Sequence, residues 1–485
     1  MKAEEVVLGW ALGVGRLGGV SRSPAHPATS GYRRALGVGQ LGGVGATRRR
    51  LLTEAAAGSA VAVLAACSGG AAGPAAGRTA KSISGTLVYW PEGGESNPSY
   101  QAWVQRIADF QKDFPQAKVE MTEMQDRDAK LVSAVAAGTP PDVSVYDRYT
   151  IAAAQARGIM QDILPFFKTS GMKADDEQPW CWQEVFRDGK LFGLPYSTDT
   201  RMVYVNRAHL RQAGLPETAP KTLDEFDQIM RRVTAGAPGS WQRLGFIPWG
   251  NNWRLFGWGW LFGGDWYDAK ANRVTMDDPK NIAALEWEVA RAQELGGYNV
   301  VEGFRKAQPK SGLTDLFKAG TLSATINSTS QLLGMFAVQD LDWIVWPPPP
   351  APGVGRTHTW SGGFANVVPT GAKNPEASFT LAKYLSDEEF QKIQNKTGGG
   401  RLPTLKSAAN DPYWKTVDPR IKQFVDLLPY SHIRPPIVQI EILNRELDGD
   451  EGAETLALKG AKAPKPALQE ANQRVNDAIK EGRAS

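Results

Sequence analysis

The sequence predicts an α/β protein built as two lobes. Residues 86–146 alternate strand-like and helix-like patterns, and residues 222–346 do so again. Between them, residues 191–206 read LFGLPYSTDTRMVYVN. Two strand-like pieces, 191–195 and 202–206, flank a short polar knot at 197–201. Taken as the point where the chain first crosses from one lobe to the other, the knot lines a cleft with polar side chains. Such a protein works by closing the cleft on a ligand.

The chain has 485 residues and 16 Trp, enough for a large core and for about three domains or one large two-lobed body. Of 55 Lys+Arg and 51 Asp+Glu, residues 1–66 hold 8 and 3, leaving 47 and 48. That balance gives no electrostatic reason to expect nucleic acid. The two cysteines, Cys67 and Cys181, make no disulfide framework. Cys181, between Trp180 and Trp182, reads as a buried free thiol. No stretch after residue 67 is apolar enough to span a membrane.

Residues 1–66 read as an export leader. TRRRLLT at 47–53 precedes an Ala-rich apolar stretch ending in Leu64-Ala65-Ala66-Cys67. The arginines resemble a twin-arginine signal. The tetrad resembles a bacterial lipobox, which makes Cys67 the expected lipidated first residue, followed by a flexible tether over 67–82. Upstream, ALGVGRLGGV at 11–20 recurs as ALGVGQLGGV at 35–44. We read residues 1–46 as lying before the true start, because a signal begins close to its arginines. Both repeats match G-x-G-x-x-G, but neither has the strand, helix and later acidic residue that a dinucleotide site needs.

In chain order, TLVYW at 86–90 predicts a buried strand. Trp103, Ile107, Phe110 and Phe114 form one helical face that Pro115 stops. A strand at 118–122, a helix at 128–137 and a strand at 142–146 complete a parallel α/β pattern. Thr222 and Glu225 form a capping box, and Asp278-Pro279 opens another helix. Trp258, Trp260 and Trp266, interleaved with Gly and Phe, read as core. Strands are expected at 321–327, 342–346 and 363–369, and helices after Asn374-Pro375, after Ser386 and over 467–479. The Pro-rich 347–355 and Gly-rich 398–401 are candidate second and third crossings.

Six segments in order, AAGTPPDVSVYD (136–147), FGLPYSTDTRMVYVNRAHLRQAGL (192–215), FGGDWYD (262–268), FKAGTLSATINS (317–328), WSGGFANVVPT (360–370) and NPEASFTLAKYLSDEEFQ (374–391), resemble the extracellular solute-binding proteins of ABC importers. The resemblance is nearest to the sugar-binding group with maltose- and glycerol-3-phosphate-binding proteins. It implies a periplasmic-binding-protein-like fold of type II, with a three-segment hinge and no catalytic chemistry. On it, lobe 1 is 83–197 plus 357–399, and lobe 2 is 200–346 plus 404–485. The implied partners are a sugar or polyol ligand, ABC permease subunits and the membrane through Cys67. The protein is expected to be exported, lipid-anchored and monomeric, with no cofactor and no metal.

By position, the resemblance gives ligand contacts at strand ends: Trp90 and Glu92, Asp147 and Arg148, Thr198 and Asp199, Asn327 and Ser328, then Trp360, Ser361 and Gly362. The aromatic tract gives Trp249, with Trp253 as a second candidate, and the HIRPP segment gives Arg434. Sugars suit these residue types. Asp, Asn and Arg match adjacent hydroxyls, and Trp offers a flat surface to C–H faces. Trp90, Trp249 and Trp360 are the expected stacking platforms. Each residue also has a structural reading. Trp90 and Trp360 suit the core, Asp147 a helix cap, Asp199 a hinge turn, and Arg434 an internal ion pair. Two other functions fit the sequence: an exported carbohydrate hydrolase with paired carboxylates, and a surface sensing or adhesion protein on the same fold. No H-E-x-x-H, G-x-S-x-G or C-x-x-C occurs.

Overall fold

The computed structural model describes residues 83–397 and 400–483; the leader, its repeat, Cys67 and the tether lie outside them. Strand β1 (Ser84–Trp90) buries Leu87, Tyr89 and Trp90. Helix α1 (Tyr100–Asp113) buries Trp103, Ile107 and Phe110 along its one apolar face. Then come β2 (Gln116–Met121), α2 (Arg127–Ala136) and β3 (Val143–Asp147), with β1 parallel to both β2 and β3. Helix α3 (Pro179–Val185) carries Cys181, which is free and buried. Strand β4 (Leu194–Thr198) leads almost directly into β5 (Arg201–Asn206). The knot is therefore tighter than its sequence suggests, with only Asp199 and Thr200 outside the strands. Thr198, Asp199, Thr200 and Arg201 bond to neighbouring chain passes, which lets them sit buried, while the Ser197 hydroxyl has no hydrogen-bond partner.

In the second part, α4 (Leu223–Val233) is capped by Thr222, whose side chain accepts from Glu225 N–H. Helix α5 (Arg254–Leu261) occupies the aromatic tract, where all eight residues but the first are buried. Gly259 sits against the Trp266 indole, so any Cβ there would collide with it. Trp258, Trp260 and Trp266 are core, as expected. Helix α6 (Pro279–Glu294) is capped by the Asp278 side chain. Strands β6 (Ala324–Ser328) and β7 (Trp343–Trp346) flank β5, both antiparallel to it.

After the Pro-rich connector, β8 (Thr359–Trp360) precedes β9 (Gly363–Val367). Helix α7 (Pro375–Tyr384) follows, capped by Asn374. Helix α8 (Glu388–Thr397) begins later than the Ser386 cap predicts. Asp387 Oδ1 accepts from Phe390 N–H at 2.9 Å, while the Ser386 hydroxyl accepts from Asn366. Strand β10 (Ser431–His432) pairs parallel with β8, and α9 (Pro464–Lys480) closes the chain with Leu468, Ala471 and Val475 buried.

The first sheet runs β2-β1-β3-β9-β4 and the second β6-β5-β7. Each has its own apolar cluster, with Trp103, Phe110 and Tyr196 in one and Phe226, Trp258 and Leu285 in the other. Three chain passes meet at Thr198. It leads into β5, it pairs with Gly363 of β9, and it exchanges two 2.8 Å backbone hydrogen bonds with Leu402.

Candidate ligand cleft

A cavity of about 160 Å³ opens where these passes meet. Asp147, at the end of β3, and Tyr149 line one side, with Phe364 and Arg401. Asn252, Ser328 and Ser330, linked by hydrogen bonds, line the cavity as well, and Arg434 lies over the Tyr149 ring. Asp199, Arg201, Trp360, Ser361 and Gly362 form the floor. Strand C-terminal ends thus face the cavity, the usual ligand position in open α/β sheets.

Two arginines tie the floor together. Arg148 is buried beneath it. Its guanidinium donates to Glu184 Oε2 at 2.8 Å, to Gly362 O at 2.7 Å, and also to Ser197 O. Arg201 donates to Asp199 Oδ1 at 3.0 Å, Trp360 O at 2.8 Å and Asn252 O at 2.6 Å. Each guanidinium spans the first two passes, because its planar fork reaches several acceptors at once. Gly363, at φ +130°, permits this: a Cβ would collide with Ser197 O and Arg148 Nη1.

The charges in this region are matched. Glu184 pairs with Arg148, Asp199 with Arg201, and Glu92 with Arg401. Arg434 and Asp147 both line the cavity, and among the described residues neither has an oppositely charged group within 4.0 Å. Burial pushes the Asp147 carboxyl up to about 6, against the opposing pull of Arg434 and Arg148. Burial likewise raises Glu184 to about 7 despite its Arg148 partner.

The aromatic rings lining the cavity carry guanidiniums. Arg434 lies 4.0 Å from the Tyr149 ring centroid and 4.7 Å from that of Trp360. Arg201 lies 4.1 Å from the Trp360 centroid and Arg401 4.9 Å from that of Phe364. Such pairs are favourable when desolvated.

Seven of the residues expected at the site line the cavity: Asp147, Asp199, Ser328, Trp360, Ser361, Gly362 and Arg434. Glu92 borders an adjoining groove. The others are elsewhere. Trp90 is in the core of the first sheet. Thr198 is fully buried and donates to Gly362 O at 2.8 Å. Arg148 lies under the floor, its guanidinium turned to internal acceptors. Asn327 bonds Thr314. Trp249 packs on Tyr298 and donates to Glu302 Oε1 at 3.1 Å. Trp253 is buried in the core. The expected stacking platforms are 7%, 3% and 2% exposed at Trp90, Trp249 and Trp360, so none presents an open face. Tyr149, Glu184, Arg201, Asn252, Ser330, Gly363, Phe364 and Arg401 line the cavity without having been singled out. Four were close to sight: Tyr149 follows Asp147-Arg148, Arg201 ends the polar knot, and Gly363 and Phe364 follow Gly362.

Two α/β parts, three adjoining passes and a polar cavity at the strand ends define a two-lobed binding protein. The chain belongs to the bacterial extracellular solute-binding protein family, whose sequence model matches residues 105–421. The galactooligosaccharide-binding protein of Bacillus subtilis (strain 168) is 24% identical over 433 residues, covering 84% of this chain and 94% of its own. The sugar-binding protein MalE from Xanthomonas citri shares the fold with a TM-score of 0.69 at 22% identity, over 82% of this chain and 98% of that one. CpMnBP1 with mannobiose bound gives 0.67 at 22% identity, over 80% and 99%. Among the described residues no helix is long and apolar enough to cross a membrane, and no His, Cys, Asp and Glu cluster fits a metal ion.

Proposed function

We propose that this protein captures a sugar or related polyol in the cavity and delivers it to an ABC permease. The observation that carries the reading is the pair Asp147 and Arg434, both on the cavity and close enough to influence each other, yet among the described residues neither in a salt bridge within 4.0 Å. A carboxylate that only accepts and a guanidinium that only donates suit hydroxyl groups, which do both. The other charged groups around the cavity cancel in pairs, so an uncharged ligand leaves no charge stranded. The name of the curated relative points the same way.

Because the rings carry guanidiniums, the ligand contacts we assign are mainly polar: Asp147, Asn252, Ser328, Ser330 and Arg434. A hydrolase reading is less well supported, since two-carboxylate catalysis needs two free groups. Here Glu184 and Asp199 are held by arginines, which leaves Asp147.

The protein is on this reading a carrier without turnover, exported and held at the membrane as a monomer through lipid on Cys67. The lipobox-like Leu64–Cys67 and the charged leader support the anchor. We place the lobe boundaries at the passes near residues 198, 362 and 400; the second lies after the Pro-rich 347–355 expected from the sequence, a placement supported by Trp360 packing in the cluster of Trp258 and Leu285.

A thermal-shift screen against mono- and oligosaccharides, polyols and phosphodiesters tests the ligand class. A sugar at large excess over its Kd raises stability by several kcal/mol, about 2.7 at a hundredfold excess. Stabilisation by phosphodiesters alone overturns the reading. Radiolabelled palmitate retained by wild type and lost in Cys67→Ser tests the anchor.

A further inference from the structure

The cavity ends at a wall, and behind that wall is more space. On one side lie Phe364 and Arg401, which line the cavity. On the other lies a groove of about 510 Å³, bordered by Glu92, Gln125, Asp126 and Arg127. The wall between them is the Glu92–Arg401 ion pair, seated over the Phe364 ring. Arg127 approaches the same ring at 6.0 Å.

The wall is braced from both ends. Glu92 Oε1 accepts from Arg401, while Glu92 Oε2 accepts from the Tyr196 hydroxyl at 3.4 Å. Arg401 lies in the third pass, and its neighbour Leu402 is fixed by the two backbone bonds to Thr198. The side chains are only 12% and 17% exposed, so the pair is largely withdrawn from water. A ligand chain that crosses it must part the two charges, and a parted, poorly solvated pair is costly.

We infer that the Glu92–Arg401 pair is a partition that sets how long a sugar chain the cleft takes. With the pair intact, sugar units beyond the cavity gain little. With it removed, cavity and groove join, and a longer chain adds contacts to the polar rim at Gln125, Asp126 and Arg127. Neither residue holds the floor, a task that belongs to Arg148 and Arg201. The inference rests on the sugar reading above.

The test is calorimetric titration of wild type, Arg401→Ala and Glu92→Gln with linear galacto-, manno- and gluco-oligosaccharides of one to four units. Glu92→Gln keeps the side-chain size and guards against misfolding of the alanine variant; unchanged far-UV spectra establish that each is folded. The expected result is a rise of about tenfold in the ratio of tetrasaccharide to disaccharide affinity in each folded variant. An unchanged or lower ratio in either folded variant overturns the partition while leaving sugar binding intact. Absence of binding to every sugar by wild type overturns the sugar reading and the partition with it.

Discussion

Asp199 Oδ1 accepts a hydrogen bond from the backbone N–H of Gly362 at 2.7 Å, which joins the first chain pass to the second across the cavity floor. The same oxygen accepts from Arg201 Nη1 at 3.0 Å. Both side chains are nearly buried, at 11% and 6% exposure. Asp199→Ala therefore leaves a guanidinium and an amide short of an acceptor in a poorly solvated place. Breaking such a pair from one side costs about 3–5 kcal/mol. Urea unfolding should show a loss of that order, with a smaller loss in Asp199→Asn, which keeps an acceptor for Gly362. Equal stability of wild type and Asp199→Ala would show that the floor is held without this contact.

As the proposed ligand carboxylate, Asp147 should make ligand affinity depend on pH. Its ordinary value of 3.8 is raised to about 6, chiefly by burial. Below pH 6 the group carries a proton and accepts poorly from a hydroxyl; above it, the carboxylate accepts well. Affinity should therefore fall as pH drops through 6, by up to about tenfold per unit, and level off above 7. The proton is also the reason the empty protein tolerates this carboxyl: the group contributes a destabilisation that grows as pH rises from 3.8 to 6. Asp147→Asn should bind more weakly at pH 7.5 and lose most of the slope. Calorimetry at pH 5, 6 and 7.5 gives the answer, and a slope that persists in Asp147→Asn assigns it to another group, such as Glu184.

Trp249 separates core from cleft. Its ring is 3% exposed and packs on Tyr298 within the cluster of Leu244, Ile247 and Leu316. Trp249→Ala should cost about 3–5 kcal/mol of stability, as large truncations in a core do. The affinity of the molecules that remain folded should stay within about twofold of wild type, since the ring does not border the cavity. A large loss of affinity with unchanged stability would return Trp249 to the ligand.

Most of the fold was legible because its elements carry local signals. Trp103, Ile107 and Phe110 mark a helical face, and Asp278-Pro279 and Asn374-Pro375 mark helix starts that the structure keeps. Helix α5 was hidden because its Trp and Gly residues pack on all sides, which erases the helical period. The site was half legible. Strand ends identify backbone positions, and Asp147 and Asp199 follow from them, whereas Arg434 comes only from the HIRPP segment and the family resemblance. Which way a long side chain turns is decided by partners far along the chain. Arg148 turns down to Glu184, 36 residues away, whereas Arg401 reaches Glu92 across 309 residues. Tryptophan misled for a similar reason: its area suits a sugar face and a core equally, and only the tertiary neighbours decide.

The remaining prediction concerns stability away from the cleft. Glu288 and Glu454 are buried together, at 0% and 6% exposure, and both oxygens of Glu288 lack a hydrogen-bond partner. Burial raises Glu454 from 4.5 to about 8, with Asp448 adding to the rise and Glu288 opposing it, and burial raises Glu288 well above its ordinary value, with Glu454 pushing it further. The folded protein therefore keeps protons here that the unfolded chain releases near pH 4.5. Between pH 5 and 8 the folded state binds more protons, so stability falls as pH rises. Glu288→Gln supplies a neutral group of the same size that can donate to Glu454. The variant should match wild type near pH 5, gain stability over it near pH 8, and show a flatter curve of melting temperature against pH. Parallel curves for the two proteins would mean that the pair is charged and compensated in the folded state, and that the alkaline decline has its source elsewhere.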